Sequence, residues 1–581
     1  RLDQKSRDFL GQCAVQGLEF SRNVASDIWA LRGGMAGDAA ALLTELEKRR
    51  FIEPVSADRV RYSFAQELMQ NACYDRMLRR DRRELHKSVA DALITGAGSA
   101  QGVSPEILAT HYENSEQWIS AAQQNVRAGD RAAGLFANAD ALARYARALS
   151  ALAEADGEDR EQRTIAFDAS RGAALVCLRI GDYAALKDHA GKMSAAAVNV
   201  AAEVEAIRLR AQAHMHGGDL EASERLLKEA TARMPPADDS MGSASTAGRL
   251  AYDYADVCYR LGRNADAAAF IARCRALCDG EASEMIRLDI LEGRLAHVEG
   301  RFEAATELYE RAHHAAERAG SVSEEALTSN CMGNAARDSG RYAEAEAHFQ
   351  RALEVWSRVG MTEAIAGAHN NLANLAISRG DRHRASHHYR EALNAFEKIG
   401  HSAGRSIALM NLAILAIESG DAPTAVRKAE KACALLEASG NRMLLGLARV
   451  IRGEALLESS RLSDAELLLD GVLKDYSETS HPLALAGAHR GLGRIRFAEQ
   501  RHQCAIDNLS RALNLFDKLK RVQESGRTQV HLAAARGALG DEREARRLLA
   551  DARRKFNDIG ATQDLERCEA LLAALPPEAA P

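Results

Sequence analysis

The stretch "GRYAEAEAHFQRAL", Gly340 to Leu353, places alanines at 343, 345 and 347 between two aromatics, Tyr342 and Phe349. Moved by 40 residues in either direction it finds copies of itself: "GRFEAATELYERAH" from Gly300, "GDRHRASHHYREAL" from Gly380, "GDAPTAVRKAEKAC" from Gly420. "SRLSDAELLLDGVL" from Ser460, "QRHQCAIDNLSRAL" from Gln500 and "GDEREARRLLADAR" from Gly540 continue the series. Five residues into each copy stands Ala (Ala305, Ala345, Ala385, Ala425, Ala465, Ala505, Ala545), and seven later Ala again, except at Val472. A fixed period over this many copies marks a stacked-repeat protein. Two positions seven apart share a helical face. Alanine there lets a second helix cross closely, and the bulky residue between the pair fills the adjoining hollow. Each unit reads as helix, turn at the Gly, helix, and neither helix buries its apolar stripe without stacking on neighbours.

Small residues eight and seven before the Gly, an aromatic two after it, and Ala five and twelve after it resemble the tetratricopeptide repeat. The fullest copies are Met332-Gly333…Gly340-Arg341-Tyr342…Ala345…Phe349…Ala352 and Leu372-Ala373…Gly380…Ala385…Tyr389…Ala392. A period of 40 implies longer helices than the usual unit, as in the kinesin light chain type. Upstream the register loosens: "GGDLEASERLLKEA" starts at Gly217, "GRNADAAAFIARC" at Gly262, and "GDYAALKDHAGKM" at Gly181 is a poor copy. Trp118, Ala121 and Ala128 keep the spacing of the second helix, as do Asn138, Ala141 and Ala148, which gives roughly eleven or twelve units. "MPPADDSMGSASTAG", Met234 to Gly248, reads as a loop.

The first hundred residues have another pattern. Two short helices, a third with Leu42, Leu43, Leu46 and Phe51, and a hairpin from Ile52–Val55 to Val60–Phe64 suggest a winged helix. A further helix would put Leu68, Ala72 and Met77 inward. This region resembles the linker that joins nucleotide-binding core to repeat array in signal-transducing ATPases with numerous domains. The matching residues are Leu10, Ala14, Gly17, Phe20, Leu46, Phe51-Ile52, Tyr62-Ser63-Phe64, Leu68, Ala72, Tyr74 and Arg83-Glu84-Leu85-His86, with Gln66 where the family commonly has His. Ala128–Leu149 resembles the start of the repeats in the same proteins, which include ATPase-coupled adenylate/guanylate cyclases and maltose-regulator-like activators. The resemblance implies a partner in cis, an upstream ATPase or output domain, against which the winged helix would pack. The chain begins with Arg, so it is expected to start inside a longer protein.

The expected architecture is all-α: a tetratricopeptide α-solenoid superhelix behind a small winged-helix domain. The expected divisions are a linker domain at 1–90, divergent repeats at 91–235, a regular array at 249–575 and a frayed tail at 576–581. Nine Pro in 581 residues and an Ala-rich composition suit a helical chain. No run is long enough to span a membrane. The ten Cys are scattered without Cys-x-x-Cys, and Cys274 and Cys278 have no partners at zinc spacing, so they read as reduced core cysteines of a cytoplasmic protein. A net charge of −6 with mixed signs makes nucleic acid an unlikely partner. The basic run Arg76–Lys87 reads as a solvated helix face.

No Walker motif, nucleophile elbow or zinc motif is present; "RGGMAGDAA" (32–40) has glycines without Lys-Ser/Thr. His313, His314, His383, His387 and His388 read as surface histidines. The chain is therefore expected to be no enzyme and to need no cofactor or metal. The informative positions lie ten, six and three before the turn Gly, an i, i+4, i+7 stripe on the first helix that lines the concave side. They are Asn330, Asn334 and Arg337; Asn370, Asn374 and Ile377; Arg294; Arg490 and Arg494, with Asn371 and Asn411 alongside and Glu454 as an acidic break. Asn is a mediocre helix former, and its amide both donates and accepts, which suits holding an extended backbone. Asn371 and Asn411 either do this or bond a neighbouring repeat's loop. The reading is a binding sensor array for a protein or peptide that controls an upstream nucleotide-binding module; the alternative is a constitutive scaffold.

Overall fold

The computed structural model describes residues 2–55, 57–96, 103–233, 241–277, 282–439, 441–478, 481–559 and 561–574. It is all-α apart from three short strands, with 29 helices among the described residues. The chain forms two compact units: residues 1–178, 184–210 and 232–235, and residues 179–183, 211–231 and 236–581.

In the first unit α1 (Gln4–Gln16), α2 (Arg22–Leu31) and α3 (Ala36–Lys48) pack over an antiparallel sheet. Its strands β1 (Glu19–Ser21), β2 (Ile52–Pro54) and β3 (Arg61–Phe64) lie in the order β1-β3-β2. Alternation puts Tyr62 against Phe20 and Phe64 against Ile52 in register, and Phe20 stacks on Tyr62 at 5.9 Å. Phe9 meets Trp29 edge-on at 5.5 Å. A Cβ on Gly34 would come 2.1 Å from the Trp29 indole. Gly34 thus lets the connection between α2 and α3 pass close to the Trp29 ring. The pattern of the sequence does not single out β1, which has only three residues.

The helix after the hairpin, α4 (Glu67–Asp75), turns a different face inward from the one expected. Leu68 is 80% exposed and Ala72 is exposed, while Met69, Cys73 and Tyr74 pack on the core. The helix is rotated by about one residue because Tyr74 is tied to the next element. Its hydroxyl lies 2.9 Å from His86 Nε2 on α5 (Arg79–Gly96), and His86 Nδ1 lies 2.9 Å from His111 Nδ1 on α6 (Pro105–Asn114).

Beyond α6 the chain runs in eleven helix pairs, from α7 (Trp118–Gly134) with α8 (Asn138–Glu154) to α27 (Val522–Ala538) with α28 (Glu542–Asp558), and α29 (Thr562–Ala574) follows. The alanine pairs are where the closest crossings occur. Ala305, Ala345, Ala385, Ala425, Ala465 and Ala505 are fully buried, as are Ala312, Ala352, Ala392 and Ala432. The hollow for the bulky residue is made by a glycine on the first helix. A Cβ on Gly333 would stand 2.6 Å from the Phe349 ring, and Gly293 and Tyr309, Gly453 and Leu469, and Gly493 and Leu509 repeat the relation.

Gly129 and Tyr145 have the same relation at 2.6 Å, so α7 is the first helix of a pair. Its second-helix spacing, Trp118 to Ala128, packs it on α6 instead. At the poor copy after Gly181 the sizes are exchanged: Leu186 takes the Ala345 position, Ala190 the Phe349 position, and both are buried. The expected loop at 234–248 is corrected: Met241 to Gly248 begins α13 (Met241–Arg260), because Gly, Ser and Ala there are followed by the buried stripe Leu250, Ala251, Tyr254. Met234 to Ser240, Cys278 and the tail lie outside the described residues.

Connections in the regular array use a left-handed residue, which glycine adopts without a Cβ penalty. Gly300, Gly320, Gly340, Gly360, Gly380, Gly400 and Gly420 have φ between +64° and +80°. Ser460, Gln500 and Lys520 adopt the same φ without being glycine. Within the second unit, residues about 180 apart meet. The Tyr183 hydroxyl donates to Glu363, which His216 Nδ1 approaches at 3.2 Å, and Arg382 donates to Gln563.

Candidate functional site

The first helices α13, α15 (Ala282–Val298), α17 (Val322–Asp338) and α19 (Thr362–Ser378) bring their stripe residues to one surface. A groove of about 470 Å³ is lined by Asp256, Arg260, Arg294, Asn330, Asn334 and Arg337, with Tyr259, His297 and Cys331. The stripe residues are half-buried because their helix neighbours, such as Ala335 and Ala336, carry the packing. Asp256, Tyr259 and Arg260 were not singled out from the sequence. Counting six, three and two back from Gly262 finds them.

The asparagines form a ladder. Asn371 Nδ2 donates to Asn330 Oδ1 at 2.9 Å, and Asn411 Nδ2 on α21 (Ser402–Glu418) donates to Asn370 Oδ1 at 3.0 Å. Both bonds of Asn371 and Asn411 run to a side chain of a neighbouring repeat rather than to its loop. Asn374 Oδ1 accepts from the Tyr389 hydroxyl at 2.6 Å. Asn334 makes no side-chain hydrogen bond among the described residues. The ladder occupies carbonyl oxygens of Asn330, Asn370 and Asn374 and leaves their amide N–H groups, and both ends of Asn334, without a side-chain partner among the described residues; Asn330 and Asn334 line the groove. Ile377 and Ile414 continue the surface, 38% and 37% exposed.

Charges are compensated unevenly. Arg260 Nε meets Asp256 at 3.1 Å and Arg337 Nε meets Asp338 at 2.8 Å. Arg294 makes no ion pair among the described residues and lines the groove beside Cys331. Burial opposes its charge and the nearby carboxylate of Asp256 favours it, so it stays a cation over the whole working pH range. Asp338 is held below its usual pKa: His297 and Arg337 outweigh its burial.

Arg490 and Arg494 belong to a separate groove of about 430 Å³ in the same unit. Both are engaged. Arg490 bonds Glu454 at 2.5 Å and also Glu524, and lies 5.2 Å over the Phe516 ring. Arg494 bonds Glu458 at 2.7 Å. Glu454, expected as a break between basic residues, is the partner of one of them. Arg527 closes the network on Glu418 at 3.2 Å and Asp564 at 2.9 Å. Arg567 lines this groove exposed and without an ion pair among the described residues.

Elsewhere, His313, Glu317 and Glu325 bring three ligand atoms within 4.8 Å. Thr328 already holds His313 Nδ1 at 2.9 Å and Arg351 holds Glu325 at 2.6 Å, so the group is a set of surface contacts. His369 and His388 approach through their Nδ1 atoms at 3.1 Å. No helix among the described residues is long and apolar enough to cross a membrane.

Known proteins match in part. No curated protein matches the chain. Similar solved structures include the apo form of RapI, 13% identical over 61% of this chain and 98% of that one with a TM-score of 0.44. The apo quorum sensor NprR from B. thuringiensis is 14% identical over 62% of this chain and 100% of that one, TM-score 0.43. A signal transduction ATPase with numerous domains and a tetratricopeptide repeat sensor, from Pyrococcus horikoshii, is 14% identical over 82% of this chain and 66% of that one, TM-score 0.36. The family model for the tetratricopeptide repeat matches residues 324–398 and 364–438, the pairs from α17 to α22 (Ala422–Ser439). Residues 324–438 are thus tetratricopeptide repeats, and the same helix-pair geometry continues on both sides of them.

Proposed function

We propose that this chain is a regulatory binding array whose ligand is an extended segment of a protein or peptide. The observation that carries the reading is the row of half-buried amide N–H donors on Asn330, Asn334, Asn370 and Asn374, of which Asn330 and Asn334 line one groove with Arg294, a guanidinium in no ion pair among the described residues. Such a row suits backbone carbonyls, and the guanidinium suits a carboxylate, held bidentately. The ligand therefore has neutral to acidic character. Binding across successive repeats alters how each sits on the next, since each touches mainly its neighbours. The N-terminal domain, read as a winged helix, passes the change to an upstream nucleotide-binding module, as the resemblance to the ATPase linker implies.

The test is selection of displayed random peptides on the whole chain, followed by titration against Arg294→Ala and Asn334→Ala. Each substitution is expected to weaken binding by about 1–3 kcal/mol, the cost of leaving a charged or polar partner unpaired, with an unchanged melt. Binding that ignores both substitutions places the ligand elsewhere. In the full-length protein the selected peptide is expected to change the rate of nucleotide turnover.

A further inference from the structure

The two small residues Ala534 and Gly537 stand at the groove positions six and three before Gly540. The other regular repeats carry larger side chains there: Asn334 and Arg337, Asn374 and Ile377, Ile414 and Ile417, Glu454 and Leu457, Arg494 and Phe497. A Cβ on Gly537 would find only the Ala545 Cβ, at 4.0 Å. The missing bulk leaves a hollow of about 260 Å³ between α27 and the preceding repeats. Leu457, Leu462, Phe497, Leu509 and Ala534 line it, together with Arg494 and His531. Phe497 is 36% exposed.

This hollow is smaller than the roughly 300–1,000 Å³ of pockets that enclose a whole small ligand. It holds one large apolar side chain, with the rest of the ligand outside it. The outside is supplied. Arg494 and His531 also line the 430 Å³ groove, so chain entering the hollow continues into that groove. There the carboxylates of Glu418, Glu454, Glu458 and Asp564 are already held by Arg527, Arg490 and Arg494. Arg567 is the guanidinium left over, exposed and without an ion pair among the described residues. His531 adds no charge, because burial and the surrounding arginines push its pKa well down.

We propose that the hollow behind Ala534 is a specificity pocket for one large apolar side chain (Leu, Ile, Met or Phe) of an extended segment, and that Arg567 takes a carboxylate next to it. This rests on the reading of the array as peptide-binding, and adds a second subsite of defined chemistry. An apolar residue flanked by an acidic one is a motif that neither the amide ladder nor Arg294 requires.

The probe is the same random heptapeptide library displayed on phage, selected on the intact chain. Peptides recovered are expected to share one large apolar position with Asp or Glu nearby. Ala534→Leu fills the hollow from an exposed helical position, and Ala534→Met does so with a more pliable side chain. Both are expected to lose at least tenfold in affinity with unchanged melts, and Arg567→Glu to shift selection from acidic to basic neighbours. Peptides that bind both filled variants as tightly as the parent overturn the pocket. Peptides that respond only to Arg294→Ala and Asn334→Ala overturn it too, while leaving the first groove intact. Recovery of no binding peptide overturns both readings.

Discussion

At the scale of single residues, the alanines are the strongest determinants of the fold. Ala345 is fully buried between crossing helices, whereas Ala347, two residues on, is exposed. Ala345→Leu is therefore expected to overpack the crossing and cost about 1–3 kcal/mol, and Ala347→Leu to be nearly neutral; denaturant melts of the two variants make the comparison. Equal losses would reject the packing face. This much is legible in the sequence because a period of 40 fixes which alanines share a face. The partners of the arginines are not legible in the same way. Arg490 and Arg494 look like free steering charges until Glu454 and Glu458, each 36 residues upstream, are seen to reach them. A pairing between adjacent helices depends on rotamers and crossing geometry, which period alone does not set. Arg294 differs from them in making no ion pair among the described residues, although Asp256 lines the same groove.

At the scale of elements, the hairpin and the helix pairs follow from alternation and period, and the rotation of α4 does not. Its apolar residues Leu68 and Met69 are adjacent, and either could face the core. The choice is made by Tyr74, through a buried chain Tyr74–His86–His111 linking α4, α5 and α6. His86 and His111 are 3% and 4% exposed. Burial lowers both to about 4 from the usual 6.5, and for His86 the neighbouring His111 adds to it. The unfolded chain takes up protons below pH 6.5 while the folded chain does not until near 4. Stability is thus full above pH 6.5 and falls as pH drops through that window. By pH 5 the loss is about 2 kcal/mol per histidine. With both rings charged, two N–H donors would face each other across the 2.9 Å contact. His111→Gln is expected to flatten the dependence, measured as unfolding midpoints at pH 7.5 and 5.0. An equal slope in the variant would assign the acid sensitivity to other groups.

At the scale of the array, its own returns bring distant repeats together, and these no repeat period predicts. Gly181 faces Ile399 and Gly218 faces Ala403, close enough that a Cβ on either would stand 3.0 or 3.1 Å away. Between them sits Glu363, the acceptor for Tyr183 and His216, in the first turn of α19 where a negative charge suits the helix dipole. His401 caps the N-terminus of α21 by accepting from the Gly404 N–H at 2.7 Å, and its ring lies 6.0 Å from Tyr183. Burial raises the Glu363 pKa, and His216, Tyr183 and His401 together overcome it, so the carboxylate stays ionised. Residues 256 to 337, which line the first groove, lie between the two sides of this contact along the chain. Any change in the stacking of those repeats must either be absorbed locally or strain the Glu363 contact. Glu363→Gln keeps the shape and removes the charge, and is expected to cost about 1.5–3 kcal/mol, the range for hydrogen bonds to a charged group. Hydrogen–deuterium exchange would show it as faster exchange in the first turns of α19 and α21, with Arg382→Ala, at the separate long-range contact to Gln563, leaving those turns unchanged. If the exchange of α19 is the same with Gln at 363, the contact holds nothing closed, and the groove is free to change its stacking without it.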